Sequence, residues 1–249
     1  MPRETIIVEA VALVSGWYGK IPSLGDFASR RLPPHFIGAW DAWLQHSIAA
    51  SRATLGSRWL DIYLLSPIWR FALLPGVIGE HAWAGLMMPS VDKVGRHFPL
   101  TFALPFADQQ PDVTAAIFTA QDWYAAVEEL ALATLNVDFS LEQLERELAA
   151  HPFPLRPEAP PDPTARELAA WWQSSLPACS MVLPALQSMP DLLSSMGQAL
   201  LSAAGQGKSL WWSGANPSAP AQLHGFIGLP PEERFAQLLN YTGVRETTS

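Results

Sequence analysis

Two short stretches of the chain hold the residue types that could do chemistry. Residues 22–27 are PSLGDF and residues 89–96 are PSVDKVGR. Each begins with Pro-Ser, and each places an aspartate, Asp26 or Asp92, three or four residues after the proline. Carboxylates beside serine and basic residues can serve in ion pairs, in binding a charged partner, or in general acid–base catalysis.

Three interpretations of these stretches remain open. They can form a polar clamp between two strand ends, with Asp26 pairing with Arg96 and Asp92 with Arg30, because the planar arginine fork holds a carboxylate bidentately. They can form a partner-binding surface. They can also form a hydrolase-like acid–base site on the two aspartates. The candidate residues for the clamp or the partner surface are Lys20, Ser23, Asp26, Arg30, Ser90, Asp92, Lys93 and Arg96.

Other kinds of site receive little support from the sequence. The six histidines are scattered, and no pair has the i, i+4 spacing of a helical zinc site. The chain has no phosphate-binding P-loop, no GxGxxG and no GxSxG motif. We therefore predict no metal, no cofactor and no catalytic residues. Cys179, the one cysteine, precedes an apolar run, and we predict that it is a small core residue.

The composition narrows the partners and the compartment. The 249 residues are only 15% charged, with a net charge of −8. This balance argues against non-specific binding to nucleic acid or to an anionic membrane, since both need a basic surface. One cysteine allows no intramolecular disulfide, which suits a reducing compartment. The first 16 residues make a poor signal peptide, because Glu9 interrupts their apolar run. No apolar run approaches the ~20 residues of a membrane span. We predict a cytoplasmic protein without membrane insertion.

The elements alternate between helices and strands, which predicts an α/β fold with a mixed, partly antiparallel sheet. In the first helix, Trp40 and Trp43 lie on the apolar stripe and should be buried. The segment RWLDIYLL at 58–65 is ambiguous between helix and strand. Predicted helices are at 34–55, 118–135, 141–148, 164–173, 191–203 and 231–240, and predicted strands at 17–19, 68–74, 82–88, 98–106, 180–183 and 209–213.

The domain organisation follows from the same pattern. We predict a single domain over residues 16–241, whose sheet is completed by the second half of the chain. The proline-rich segment 152–163 is predicted to be an extended loop within it. Residues 1–15 and 242–249 are predicted to be a flexible N-terminal segment and a flexible tail.

Several long motifs resemble one protein family. The stretches GWYGKIPSLGDF (16–27), SPIWRFAL (66–73) and PSVDKVGRHFPLT (89–101) are similar to signature stretches of the type VI secretion-associated TagF proteins, also called ImpM. SLWWS (209–213) and FIGLPPEERFAQLL (226–239) resemble the C-terminal half of that family. The resemblance covers about residues 16–241.

The resemblance implies a function as well as a fold. TagF proteins have an α/β three-layer sandwich fold and are cytoplasmic accessory proteins of a contractile injection machine. They repress its assembly posttranslationally, and the implied partner is the forkhead-associated (FHA) scaffold protein of the machine. The resemblance implies no catalytic residues. Two alternatives stay open: a hydrolase-like enzyme using Asp26 and Asp92, and a structural accessory of the secretion apparatus.

Overall fold

The structure, a computed structural model, describes residues 13–106, 113–154, 163–183, 188–214 and 220–240. Its strands form one seven-stranded sheet with the order β2-β1-β5-β4-β3-β6-β7, and all six neighbouring pairs are antiparallel. The α/β class is confirmed, but the sheet is antiparallel throughout the described strands rather than mixed. The strands are β1 (Gly16–Gly19), β2 (Ala28–Arg30), β3 (Trp69–Leu73), β4 (Ala82–Met88), β5 (Leu100–Phe106), β6 (Lys208–Trp212) and β7 (Leu223–Ile227).

The helices pack on both faces of this sheet. They are α1 (Pro34–Leu55), α2 (Trp59–Leu64), α3 (Val113–Thr119), α4 (Gln121–Ala133), α5 (Leu141–Ala150), α6 (Pro163–Trp172), α7 (Met189–Ala204) and α8 (Glu232–Leu239). The first helix has the predicted bounds and ends at Gly56, whose φ of 56° glycine adopts without strain. None of the helices in the described ranges is both long enough and apolar enough to cross a membrane.

The strand periodicity of two divides the core into two layers. Successive side chains of a strand point to opposite faces of a sheet. In β4, Leu86 and Met88 therefore join one cluster, beneath α3, α4 and α5, and Trp83 and Met87 join the other, beneath α1, α2 and α8. The result is a three-layer arrangement of helices, sheet and helices.

Buried tryptophans hold α1 on the sheet. Trp40 is fully buried and Trp43 is 8% exposed, as the apolar stripe predicts. Each indole N–H has a hydrogen-bond partner, as buried polar groups require. The Trp40 N–H donates to Thr101 Oγ1 at 2.9 Å, and the Trp43 N–H donates to the carbonyl oxygen of Pro230 at 2.8 Å. The second of these bonds ties α1 to the loop before α8.

Several local predictions need correction. The helix predicted at 118–135 is two helices, because the chain leaves helical geometry at Ala120, where ψ is 46°. Residues 180–183 form no strand, and Cys179 is exposed rather than a core residue. The ambiguous segment 58–65 contains α2. Two edge strands, β2 and β7, are additional to the predicted ones.

Parts of three predicted segments fall outside the described residues. These are 1–12 of the N-terminal segment, 155–162 of the proline-rich loop, and the whole tail 242–249. Among the described residues, α6 and α7 pack on each other around a small cluster that contains Ala165, Ala169, Leu192 and Met196.

Candidate functional site

The two Pro-Ser segments meet at one end of the sheet. Loop A (residues 20–27) follows β1, and loop B (residues 89–99) follows β4. Both β1 and β4 pair with β5, so their carboxyl-terminal ends reach the same edge of the sheet. At Gly19, φ is 137°, and an added Cβ would collide with the carbonyl oxygen of Pro99. Glycine at this position therefore permits the close approach of the two loops.

Hydrogen bonds join the loops to each other and to α2. The Lys93 N–H of loop B donates to the carbonyl oxygen of Leu24 in loop A at 3.2 Å. The Ser90 hydroxyl donates to the carbonyl oxygen of Lys20 at 2.7 Å. The Tyr63 hydroxyl of α2 accepts from the Ser90 N–H and donates to the Ser90 carbonyl oxygen, both at 3.0 Å. The junction is thus fixed from three elements.

Asp92 lies at the centre of this junction with a fully buried side chain. Its Oδ2 accepts from Lys20 Nζ at 2.8 Å and from Arg96 Nε at 2.6 Å. Its Oδ1 accepts from the backbone N–H of Val94 at 3.0 Å and of Arg96 at 2.8 Å. Two cationic donors and two backbone donors therefore surround one carboxylate.

This environment fixes the charge of Asp92. Burial raises the pKa of the Asp92 carboxyl, but the hydrogen bonds from Lys20, Arg96 and Val94 outweigh burial and hold that pKa well below its usual range. The carboxylate stays ionised at neutral pH. A general acid or base works best with a pKa near the operating pH and with access to substrate. Asp92 has neither property, and its contacts are those of a structural anion.

Of the two predicted ion pairs, the structure contains Asp26 with Arg96 but not Asp92 with Arg30. Arg96 reaches Asp26, with Nη2 3.7 Å from Oδ1, although Asp26 is largely exposed. The predicted pair of Asp92 with Arg30 is wrong. Arg30 lies in β2, and its Nη1 is 3.7 Å from Oε2 of Glu145 in α5. The short β2 strand, which pairs with β1, places Arg30 beside α5 instead of beside loop B.

Glu145 organises a second polar cluster on the other side of β2. It accepts from the Trp17 indole N–H at 2.8 Å and from the Arg31 guanidinium. Burial raises the pKa of Glu145, but hydrogen bonds from Arg31 and Trp17 and the charges of Arg31 and Arg30 lower it overall. Arg31 has a φ of 59°, a left-handed conformation that is uncommon outside glycine.

The candidate residues separate into an inner and an outer set. Lys20, Ser90 and Asp92 are buried, so these three form internal contacts and are not available to a partner. Ser23 is half-buried at the turn of loop A. The members that reach the surface are Asp26, Arg30, Lys93 and Arg96.

Two aromatic residues that the sequence did not indicate complete the junction. The Phe27 ring is 44% exposed, lies 4.7 Å from the Phe98 ring, and has the Lys20 ammonium 4.8 Å from its centroid. Tyr63 reaches the junction from α2. The sequence did not indicate this contact, because residues 58–65 were ambiguous between helix and strand. The apolar Val94, 67% exposed, is at the tip of loop B.

A small apolar cleft opens beside loop B. It lies between the end of α2, the ends of β4 and β5, and α8, and its empty space is about 240 Å³ when the open solvent at its mouth is included. Its lining is Tyr63, Ser66, Pro67, Trp69, Met87, Met88, Pro89, Pro99, Phe235, Leu238 and Leu239. Within the described ranges, no group of His, Cys, Asp or Glu is placed to hold a metal ion.

The family follows from comparison with known proteins. The family model for the TagF N-terminal domain, type VI secretion system-associated, matches residues 16–151, more than half of the chain. The chain belongs to the TagF family. The crystal structure of PA0076 from Pseudomonas aeruginosa PAO1 is similar to it, with 36% sequence identity and a TM-score of 0.72. The match covers 92% of this chain and 96% of PA0076. The search of curated proteins found no match.

Membership in the TagF family associates the chain with type VI secretion. The matched region contains both loops of the junction, since loop A and loop B lie within residues 16–151. The similarity to PA0076 extends beyond that region into the second half of the chain.

Proposed function

We propose that this TagF-family chain is a cytoplasmic regulatory protein that binds the FHA-domain scaffold of a type VI secretion system and thereby represses secretion posttranslationally. The observation that carries this proposal is the family match, which includes both loops of the junction. The resemblance to TagF proteins implies this role.

The geometry of the junction favours binding over hydrolysis. A hydrolase that uses Asp26 and Asp92 would need two carboxylates converging on a substrate. Asp92 is instead buried beneath Lys20 and Arg96. Asp26 is largely exposed, in the next loop. We therefore propose a protein without catalytic activity, whose loops present a surface rather than an active site.

The docking surface that we assign is the exposed side of the two loops. It consists of Phe27, Lys93, Val94 and Arg96, two apolar and two basic side chains that are exposed or half-exposed. Basic residues are scarce in this chain of net charge −8. A local pair of cations therefore suits an acidic patch on the scaffold, where charge complementarity speeds association and fixes orientation.

Charge reversal at Lys93 tests this proposal. Lys93 is exposed and only its backbone N–H takes part in the junction, so Lys93→Glu should leave the fold intact. A like charge opposite an acidic partner is costly, and we expect at least about tenfold weaker binding to the purified FHA scaffold. Secretion of the tube protein should rise in cells that carry the variant.

The matched control is Arg166→Glu. Arg166 is also exposed, but it lies in α6, outside both loops. This control should bind and repress as the wild type does. Normal binding by a folded Lys93→Glu variant would show that the loop surface is misassigned. A wild-type chain that neither binds the scaffold nor changes secretion would refute the regulatory function itself.

A further inference from the structure

The helix α2 exposes an unusual amount of aliphatic surface. Leu60 is 41% exposed, Leu64 is 51% exposed, and Leu65, just beyond the helix, is 82% exposed. Single exposed leucines are common on protein surfaces, but three within six residues concentrate apolar surface on one short segment. Leu60 and Leu64 have i, i+4 spacing and so lie on one face of α2.

On the inward face of the same helix, Trp59 and Tyr63 form a stack of side chains with Arg52 of α1. The Arg52 guanidinium lies 4.1 Å from the centroid of the Trp59 ring. The Trp59 ring stacks on the Tyr63 ring, with centroids 4.7 Å apart and an interplanar angle of 17°. Tyr63 in turn lines the apolar cleft. This stack fixes the position of α2, and therefore of the exposed leucines, and it extends from Arg52 at the surface to the cleft.

The cleft continues the apolar patch. Ser66 and Pro67 line it, directly after Leu65 in the chain. Its other walls are methionine, proline, phenylalanine and leucine side chains, and most of these are buried, so the space between them holds about one water molecule. The cleft therefore adds an apolar rim beside the exposed leucines rather than a pocket for a side chain of a partner.

The charge around this patch selects the partner. Arg52 and Arg58 are exposed at the amino-terminal side of α2, and Lys93 is exposed on the adjacent loop B. Asp61 is the acidic residue of the helix itself, and it is exposed. With Arg96 and Asp26 of the two loops included, four exposed cations face two exposed anions, so this surface is opposite in sign to the whole chain, whose net charge is −8.

We propose that α2 and the adjacent cleft form a docking surface for an acidic, amphipathic segment of a partner protein. The apolar side of that segment covers Leu60, Leu64, Leu65 and the rim of the cleft, and its carboxylates face Arg52 and Arg58. The inference rests on the proposed function only in one respect, namely that the FHA scaffold supplies this segment.

The test uses two synthetic helical peptides of equal length, about four turns long, with the same leucine face. One carries glutamate on its polar face and the other carries lysine. Fluorescence anisotropy with the full chain should show micromolar binding of the acidic peptide and at least about tenfold weaker binding of the basic one. Leu64→Glu and Arg58→Glu should each weaken binding of the acidic peptide by about tenfold or more.

Matched control variants lie on the opposite face of the sheet. Leu132 of α4 is 53% exposed, close to the 51% of Leu64, and the Arg146 side chain of α5 is 67% exposed. Leu132→Glu and Arg146→Glu should bind the acidic peptide as the wild type does. Equal binding of both peptides, or the same affinity for the α2 variants as for the wild type, would overturn the inference. So would stronger binding to phosphatidylglycerol vesicles than to the acidic peptide.

The failure of this inference can be told apart from that of the proposed function. If the chain binds the acidic peptide through α2 but not the FHA scaffold, the docking surface stands and the proposed function fails. If the chain binds the scaffold while Leu64→Glu and Arg58→Glu behave as the wild type with both ligands, the surface fails and the proposed function stands.

Discussion

At the scale of single residues, Asp92 shows how an apparent acid–base residue can be a structural one. A carboxylate beside serine, lysine and arginine suits several chemistries. The structure gives it Lys20, Arg96 and two backbone N–H donors while it is buried, so its negative charge is stabilised rather than available. Its contribution is to fix loop B against loop A.

This role makes stability dependent on pH. The folded-state pKa of Asp92 lies below its usual unfolded value of about 3.9. A depressed pKa adds stability above the unfolded pKa, and that stability is lost as the pH falls towards the folded pKa. We expect Asp92→Asn to lower the Tm by several degrees at pH 7. The difference between wild type and variant should shrink below about pH 4.

Thermal unfolding followed by circular dichroism at pH 7 and at acid pH measures this difference. Asp26→Asn is the matched control, because the Asp26 side chain is 83% exposed and its Oδ1 is 3.7 Å from Arg96. Exposed ion pairs contribute little to stability, so this control should keep a Tm close to that of the wild type. An Asp92→Asn variant whose Tm matches that of the wild type at pH 7 would contradict the structural role.

The sequence predicts part of this junction. Repeated Pro-Ser segments at the ends of predicted strands indicate that the two loops meet, and the structure pairs Arg96 with Asp26. The sequence does not predict that Lys20 pairs with Asp92. Lys20 precedes the Pro-Ser motif of loop A, and the burial of the Lys20 side chain depends on how β1 packs. Arg30 is misassigned because three-residue strands such as β2 leave almost no periodic signal.

At the scale of elements, α1 shows where sequence reasoning succeeds. The apolar periodicity of residues 34–55 predicts the bounds of the helix and the buried face that contains Trp40 and Trp43. The prediction fails where the signal is short or conflicting. In β7, the sequence LHGFI contains a central glycine, which weakens strand propensity. A single residue, Ala120, divides α3 from α4.

Trp40 is the anchor by which α1 can be tested. It is fully buried, stacks on Phe36 and Trp211, and donates to Thr101. Replacing a buried tryptophan with alanine leaves a large cavity, so Trp40→Ala should destabilise the protein by about 3–5 kcal/mol. Urea unfolding followed by circular dichroism measures the change. Trp172→Ala, at a tryptophan that is 65% exposed, should cost far less. Equal losses in both variants would contradict the packing of α1.

The amino terminus of α5 offers a second test at this scale. Ser140 Oγ accepts from the Gln143 N–H at 3.1 Å, and Gln143 Oε1 accepts from the Ser140 N–H at 2.8 Å, which together form a capping box. Ser140→Ala removes the cap and should cost about 0.5–2 kcal/mol in the free energy of unfolding. Ser140→Asp, which can still cap the helix, should recover most of that loss. If Ser140→Ala has the same free energy of unfolding as the wild type, packing rather than the cap stabilises α5.

At the scale of the whole molecule, the two halves of the chain build one sheet. The strands β1 to β5 come from the part matched by the family model, and β6 and β7 come from beyond it. β6 pairs with β3, and α8 packs in the same cluster as α1. The indole of Trp43 donates to Pro230 and that of Trp69 donates to Leu238 at 2.8 Å, so both tryptophans depend on the second half.

A fragment of residues 1–151 should therefore fail to fold on its own, although it contains the whole region that the family model matches. Without residues 152–249, β3 becomes an open edge that invites aggregation, and the Trp43 and Trp69 indoles lose both their cover and their hydrogen-bond acceptors. The fragment should show no cooperative thermal transition and should bind the dye ANS, whereas the full chain should unfold cooperatively and bind little dye. Adding the separately produced 152–249 fragment should restore part of the cooperative transition, because the two fragments together supply all the described strands and helices. Cooperative unfolding of residues 1–151 alone, with native near-ultraviolet circular dichroism, would instead divide the chain into two domains and contradict the single domain over 16–241.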